Sequence, residues 1–270
     1  VEIDEAGLYR PRGFIIEPDH LVDVTAIAEC FKPDGPFLPA YLLKKFLPFT
    51  PSHYLMIGHI ANFFLDELMH DPDQSFQNLF PKVFQLNPLA FALFDDPTVR
   101  QIYQQSKIHF LHIRQMVKKG FPENGIHPPD CFLEPSFFAP KYGLQGRLDV
   151  FYYQPEGQSA IVELKSGKTF RPNVYGLNNN HFTQTLLYDL IIRAVYGPKT
   201  APLNYILYSG LEENQLRFAP VIKAQQMEAL QVRNQILAIE RVLSELRDDS
   251  PAWPSVFRLL KTRKAKEFTW

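Results

Sequence analysis

The stretches Gly146-Arg147-Leu148-Asp149-Val150-Phe151 and Ile161-Val162-Glu163-Leu164-Lys165-Ser166-Gly167 decide the fold. Residues 147–153 and 160–166 are rich in β-branched and aromatic side chains, and Gln154-Pro155-Glu156-Gly157-Gln158 between them carries the proline and glycine of a tight connection. The pattern predicts a β-hairpin. With Glu156 at its midpoint, Asp149 stands opposite Glu163 and Arg147 opposite Lys165. Strand side chains alternate between faces, so Asp149, Glu163 and Lys165 are expected on one side and Leu148, Val150, Val162 and Leu164 on the other.

Like charges directly opposite weaken a ladder, where cross-strand pairs are worth about 0.2–1 kcal/mol. A divalent cation between Asp149 and Glu163 accounts for the pairing, because carboxylate oxygens suit hard cations such as Mg2+. Lys165 would lie beside that ion, placed to orient or deprotonate a water or to steady charge on a phosphate. A solvent-facing hairpin bearing ordinary surface charges fits the same residues. The hairpin alone leaves both readings open.

Asn178-Asn179-Asn180 precedes His181-Phe182-Thr183-Gln184-Thr185-Leu186-Leu187-Tyr188-Asp189, which predicts a capped helix with a wide apolar face ending near Gly197-Pro198. Gln184 and Tyr188 are four apart and share a face, one turn above the other. A tyrosine in such a setting also fits plain core packing.

Taken together, Asp149, then Glu163-Leu164-Lys165, then Gln184 and Tyr188 resemble the signature of the PD-(D/E)XK nuclease superfamily. The Gln-x-x-x-Tyr helix points to its RecB-like branch. Residues 139–146, Ala-Pro-Lys-Tyr-Gly-Leu-Gln-Gly, are similar to the approach to the active-site aspartate in flap-processing helicase-nucleases. The resemblance covers about residues 134–210. It implies that Asp149 and Glu163 are side-chain metal ligands, with the Leu164 carbonyl often a third. Lys165 would be the catalytic lysine, and Gln184 and Tyr188 would line the site. The implied reaction is phosphodiester hydrolysis by a metal-activated water with Mg2+ or Mn2+. Glu134 precedes this core and could touch the site.

Two departures from the family pattern stand out. RecB-like members usually carry Gly-x-x-x-His on an N-terminal helix, the histidine being a metal ligand, and the best match here is Gly58-His59-Ile60-Ala61-Asn62. An amide oxygen is a poorer ligand than imidazole for Mn2+ but acceptable for Mg2+. His59 and Asp66 are the nearby substitutes, and Asn62 simply packed on a helix is the plain alternative. Many helicase-linked relatives also hold an iron–sulfur cluster on four cysteine thiolates. This chain has two cysteines, Cys30 and Cys131, so that cluster is excluded. The same count implies no disulfide framework, and a reducing, cytoplasmic compartment is expected.

Of the 270 residues, 46% are hydrophobic, enough for a sizeable core. No apolar run is long enough for a membrane span, and no basic stretch leads into an apolar one as in a signal peptide. Val1 in place of methionine suggests an excised domain or a processed chain. A net charge of -1 lacks the basic excess of a non-specific nucleic-acid binder. Local charge is more permissive, with Lys261, Arg263, Lys264 and Lys266 near the C-terminus and Lys168 and Arg171 after Lys165. Phe132, Phe137, Phe138 and Tyr142 could stack on unpaired bases, but core packing is the expectation for them.

The expected architecture is mixed α/β, restriction-endonuclease-like, a mixed sheet flanked by helices with an N-terminal helical lobe. Residues 1–125 form that lobe and 126–270 the nuclease core with a C-terminal helix. Residues 1–36 are expected to be loop, and 122–140 a proline-rich connection. Helices are expected over 37–49, 53–71, twice between 88 and 120, and over 222–246, with a strand over 203–209. The implied function is metal-dependent cleavage of single-stranded or flap DNA in replication, repair or recombination, in company with a helicase domain or subunit and no membrane. The alternative is a catalytically degenerate nuclease fold serving as a DNA-binding or assembly module. A third possibility, a helical interaction domain with an accidental motif, requires Asp149 and Glu163 to point apart.

Overall fold

The computed structural model describes residues 2–3, 5, 7, 9–10, 13–47, 52–197 and 199–245. Strands β1 (Glu2–Ile3) and β2 (Tyr9–Arg10) pair with each other. The stretch before residue 37 is more ordered than its prolines suggest. It holds β3 (Val22–Asp23), the short helix α1 (Val24–Ala28) and a hairpin of β4 (Phe31–Lys32) and β5 (Gly35–Pro36). Asp23 starts α1 by accepting a hydrogen bond from the Thr25 N–H.

Five helices follow: α2 (Pro39–Phe46), α3 (His53–His70), α4 (Phe76–Val83), α5 (Pro88–Leu93) and α6 (Asp96–Gln115). Ser52 caps α3 through the Leu55 N–H, and Asp95 caps α6 through the Thr98 N–H. Helix α4 was not expected. Ser75 caps it, and Phe76, Leu79 and Val83 form its buried stripe. After α7 (Phe121–Glu123), the supposed connection contains two strands, β6 (Cys131–Leu133) and β7 (Ser136–Ala139). Each is the edge of a sheet, where neighbouring prolines are tolerated.

The remaining elements are β8 (Leu144–Arg147), β9 (Val150–Tyr152), β10 (Ala160–Lys165), α8 (Asn179–Tyr196), β11 (Leu203–Tyr208), β12 (Leu216–Phe218) and α9 (Lys223–Glu245). The main sheet runs β12-β11-β10-β9-β6, and a second runs β3-β8-β7. Strands β10 and β11 are parallel, joined across α8, and the other pairs of the main sheet are antiparallel. The hairpin has the expected register: Ala160 pairs with Tyr152, Ile161 with Phe151 and Val162 with Val150.

The first hairpin strand is nonetheless broken. The Leu148 N–H donates to the Pro135 carbonyl, and β8 leaves the main sheet to pair with β7. Arg147 therefore faces Ser136 rather than Lys165. Leu148 packs with Phe151 and Ile161, not with Val150 and Val162 as alternation predicts.

Both faces of the main sheet are covered. Phe64, Leu68 and Phe110 of α3 and α6 pack on Val150, Val162 and Leu164. Leu187 and Ile191 of α8, with α1 and α9 behind them, pack on Phe151 and Ile161. Each such aliphatic or aromatic side chain contributes about 1.5–3 kcal/mol when fully buried. Five of the six β10 residues are buried, which removes the solvent-facing hairpin as an explanation of Glu163. Among the described residues no helix is long and apolar enough to cross a membrane.

Candidate active site

The break at Leu148 and Asp149 turns the Asp149 carboxylate toward β10, where Oδ2 accepts the Leu164 N–H at 2.6 Å. Glu163, two residues on from Ile161 and 3% exposed, faces α8. Its Oε1 accepts from Lys165 Nζ at 2.8 Å and from Gln184 Nε2 at 2.7 Å. Lys165 Nζ also donates to Gln184 Oε1 at 2.9 Å. Gln184 Nε2 reaches the Tyr188 hydroxyl at 3.2 Å, and that hydroxyl donates to the Arg147 carbonyl at 2.7 Å. Glu163, Lys165, Gln184 and Tyr188 thus form one hydrogen-bonded circuit beside Asp149. Helix α8 can supply two members because Phe182 to Asp189 are all buried, held between the sheet, α1 and α9. Asn178 does not cap α8 with its side chain; its Oδ1 accepts the Phe170 N–H instead.

The electrostatics follow from burial and crowding. Burial and the neighbouring Glu163 raise the Asp149 carboxyl well above the usual range, against the pull of Lys165. Burial also raises Glu163, again opposed by Lys165, and Asp23 adds to the upward push. For Lys165 the penalty of burial is outweighed by Glu163 and Asp149, so its ammonium holds its proton more tightly than usual. Burial pushes the Tyr188 phenol up, keeping it a donor. Asp149 and Glu163 do not point apart, as the accidental-motif reading requires.

Glu163 Oε2 is buried with no hydrogen-bond partner. An orphaned anionic oxygen beside a second carboxylate, with one lysine against two negative charges, is a donor set that fits a hard divalent cation. Among the described residues no third histidine, cysteine or carboxylate completes a cage. Mg2+ needs none, since one or two carboxylates with water and phosphate oxygens suffice.

The remaining predicted residues are dispersed around this centre. On α3, Gly58 lies against Ser166, His59 is exposed, and Asn62 and Asp66 are half-buried. Burial, then Glu134, pushes the Asp66 carboxyl up to about 6. Glu134 pairs with Arg147 at 3.1 Å, and its N–H donates to the Asp149 carbonyl. Arg171 is engaged by Asp34 at 2.9 Å. Phe137 packs against Phe151, whereas Phe132 and Phe138 are exposed, against the expectation that both lie in the core. The basic cluster at 261–266 lies outside the described residues.

Sequence reasoning passed over His181, three residues before Gln184 on the same stripe of α8. Its Nδ1 meets the Tyr208 hydroxyl at 3.1 Å, and burial, then Lys165, pushes its imidazole down to about 3. The spacing of 181, 184 and 188 was the available signal. Asp23 had none, since only the β3–β8 pairing brings it near.

No family model matches the chain. Over 112 residues, 38% of its length, it is 31% identical to the DNA replication ATP-dependent helicase/nuclease dna2 of Schizosaccharomyces pombe. That match spans 7% of the fission-yeast protein. In three dimensions it is similar to the crystal structure of a candidate exonuclease from Eubacterium rectale, with a TM-score of 0.54 over 93% of this chain and 89% of that one. At 12% identity the second likeness establishes fold alone. The chain therefore has a nuclease-like mixed α/β fold and a distant sequence similarity to a replicative helicase/nuclease.

Proposed function

We propose that the chain is a divalent-metal-dependent deoxyribonuclease that hydrolyses phosphodiester bonds of single-stranded or flap DNA. The observation that carries this reading is the hydrogen-bonded circuit of Glu163, Lys165, Gln184 and Tyr188 with the Asp149 carboxylate beside it, held on the Leu164 N–H. Asp149, Glu163 and the Leu164 carbonyl are the groups that would hold Mg2+ or Mn2+. When bound, such an ion polarises a phosphoryl oxygen and makes water a nucleophile at neutral pH. Lys165, fixed between Glu163 and Gln184 and held charged, offsets negative charge on the scissile phosphate. Gln184 keeps Lys165 in place, and Tyr188 anchors Gln184 to the backbone at Arg147. The similarity to a helicase/nuclease supports work beside a helicase, in one polypeptide or as a separate subunit, in replication, repair or recombination. With two cysteines and no disulfide framework, a reducing cytoplasmic compartment suits it.

The test is cleavage of end-labelled single-stranded, duplex and flap DNA with Mg2+, Mn2+ or EDTA, using wild type, Lys165→Ala and Glu163→Ala. Metal-dependent cutting is expected in wild type, with a loss of at least 100-fold in both variants, about 3 kcal/mol of barrier or more. The second reading, a degenerate fold that binds DNA or organises an assembly, draws on Asn62 at the usual histidine position and on the near-neutral net charge of -1. It predicts undiminished DNA binding with no cutting of any substrate.

A further inference from the structure

The alternation of β10 that turns Glu163 and Lys165 toward α8 turns the next residue, Ser166, toward α3 and α6. There a cavity of about 620 Å3 opens, lined among others by Tyr54, Ile57, Ile108, His109, Ser166 and Lys168. That volume lies within the roughly 300–1,000 Å3 typical of sites for small molecules. Tyr54 is 69% exposed and Ile108 48% exposed, so an aromatic ring and an aliphatic side chain stand at the cavity unclaimed by the core. Ile57 is buried, and His109 is buried with Nδ1 engaged by Ser209 Oγ at 2.9 Å, leaving Nε2 as its other polar atom. Gly210 lets the wall close on the strand end: a Cβ there would stand 2.5 Å from the Ser166 carbonyl oxygen.

We propose that this cavity is a subsite for one unpaired nucleobase of the strand whose phosphate lies at Asp149, Glu163 and Lys165. The assignment rests on the nuclease reading above. A nucleotide chain crossing the end of β10 meets the charged circuit on one side and the cavity on the other. Apolar walls and the Tyr54 ring suit the flat face of a base, and Lys168 suits a flanking phosphate. Glu212, also lining the cavity, would repel a phosphate but can accept from the exocyclic amine of a base. A base can enter such a recess only when unstacked and unpaired. The subsite therefore selects single-stranded over duplex DNA.

The experiment maps metal-dependent cleavage along a single-stranded oligonucleotide carrying one abasic position, moved one residue at a time. Wild type is expected to lose about tenfold in cleavage of the bond at one fixed offset from the missing base. Tyr54→Ala and Ile108→Asp, both at exposed positions, are expected to cut the intact strand about tenfold more slowly and to show no further loss at that offset. Cleavage indifferent to the abasic position would overturn the subsite and leave the nuclease reading standing. If no substrate is cut, the nuclease reading fails, and affinity in EDTA decides the subsite. Tighter binding of the intact strand than of the abasic one by wild type alone would uphold it. Equal affinities in wild type and Tyr54→Ala would end it.

Discussion

Gly146 of β8 sits where the Tyr188 ring passes, and a Cβ there would lie 2.7 Å from Tyr188 Cε1. The ring can yield only by swinging its hydroxyl away from the Arg147 carbonyl and Gln184, which loosens Lys165 in turn. Gly146→Ala is expected to cost about 1–3 kcal/mol of stability, as overpacking does, and to slow cleavage more than tenfold. Denaturant midpoints and single-turnover rates measure the two effects. Retention of full activity would mean that Tyr188 does not act through Gln184.

At the scale of elements, α6 holds the end of β11 with two histidines one turn apart. His109 Nδ1 meets Ser209 Oγ, and His112 Nδ1 meets the Ser209 carbonyl at 2.8 Å. Burial, then His112, pushes His109 down to about 4. The unfolded chain, with an ordinary imidazole near 6.5, binds more protons between those values. The contribution of His109 is thus complete above about pH 6.5 and lost as pH falls toward 4. Wild type should lose roughly 2 kcal/mol more than His109→Gln between pH 7 and pH 4.5, compared by urea denaturation. Parallel pH profiles would mean that His109 takes up its proton in the folded protein as readily as in the unfolded chain.

The elements also divide by how legible they are in the sequence. The hairpin register followed from Pro155 and Gly157 and from the alternation on either side. The break at Leu148 could not be foreseen, because it depends on the Pro135 carbonyl and on pairing with β7. Prolines hid β6 and β7, whose positions at sheet edges only the assembled topology reveals. The circuit was readable because its members fall on two consecutive elements, β10 and α8, with Asp149 just before β9. Asp23 nears the centre through the β3–β8 pairing, a long-range contact that leaves no local signal.

For the molecule as a whole, two crowded carboxyl groups at the centre cost stability. Asp149 and Glu163 are both shifted toward protonation by burial, and Glu163 leaves one oxygen unsatisfied. Asp149→Asn is expected to raise the melting temperature of the metal-free protein by a few degrees, at about 2–4 °C per kcal/mol for a chain of this order. Wild type alone should gain further stability from added Mn2+ or Mg2+. Calorimetry with and without EDTA reads both effects. A melting temperature indifferent to metal in wild type would argue against metal binding by the pair.

Arg233 of α9 is fully buried, and besides the Asn234 Oδ1 at 3.1 Å its donors reach four backbone carbonyls: Gly143 at 3.2 Å, Glu17 at 2.8 Å, and those of Ile16 and His20. The partners at residues 16 to 20 are separated from it by more than 210 positions, whereas the hydrogen bonds among Glu163, Lys165, Gln184 and Tyr188 span at most 21. Contacts so different in loop length form at different times, because short loops close at smaller entropic cost. On a ribosome the hairpin and α8 emerge and can associate before α9 exists. The guanidinium arrives after the circuit, so the circuit is built first and locked afterwards.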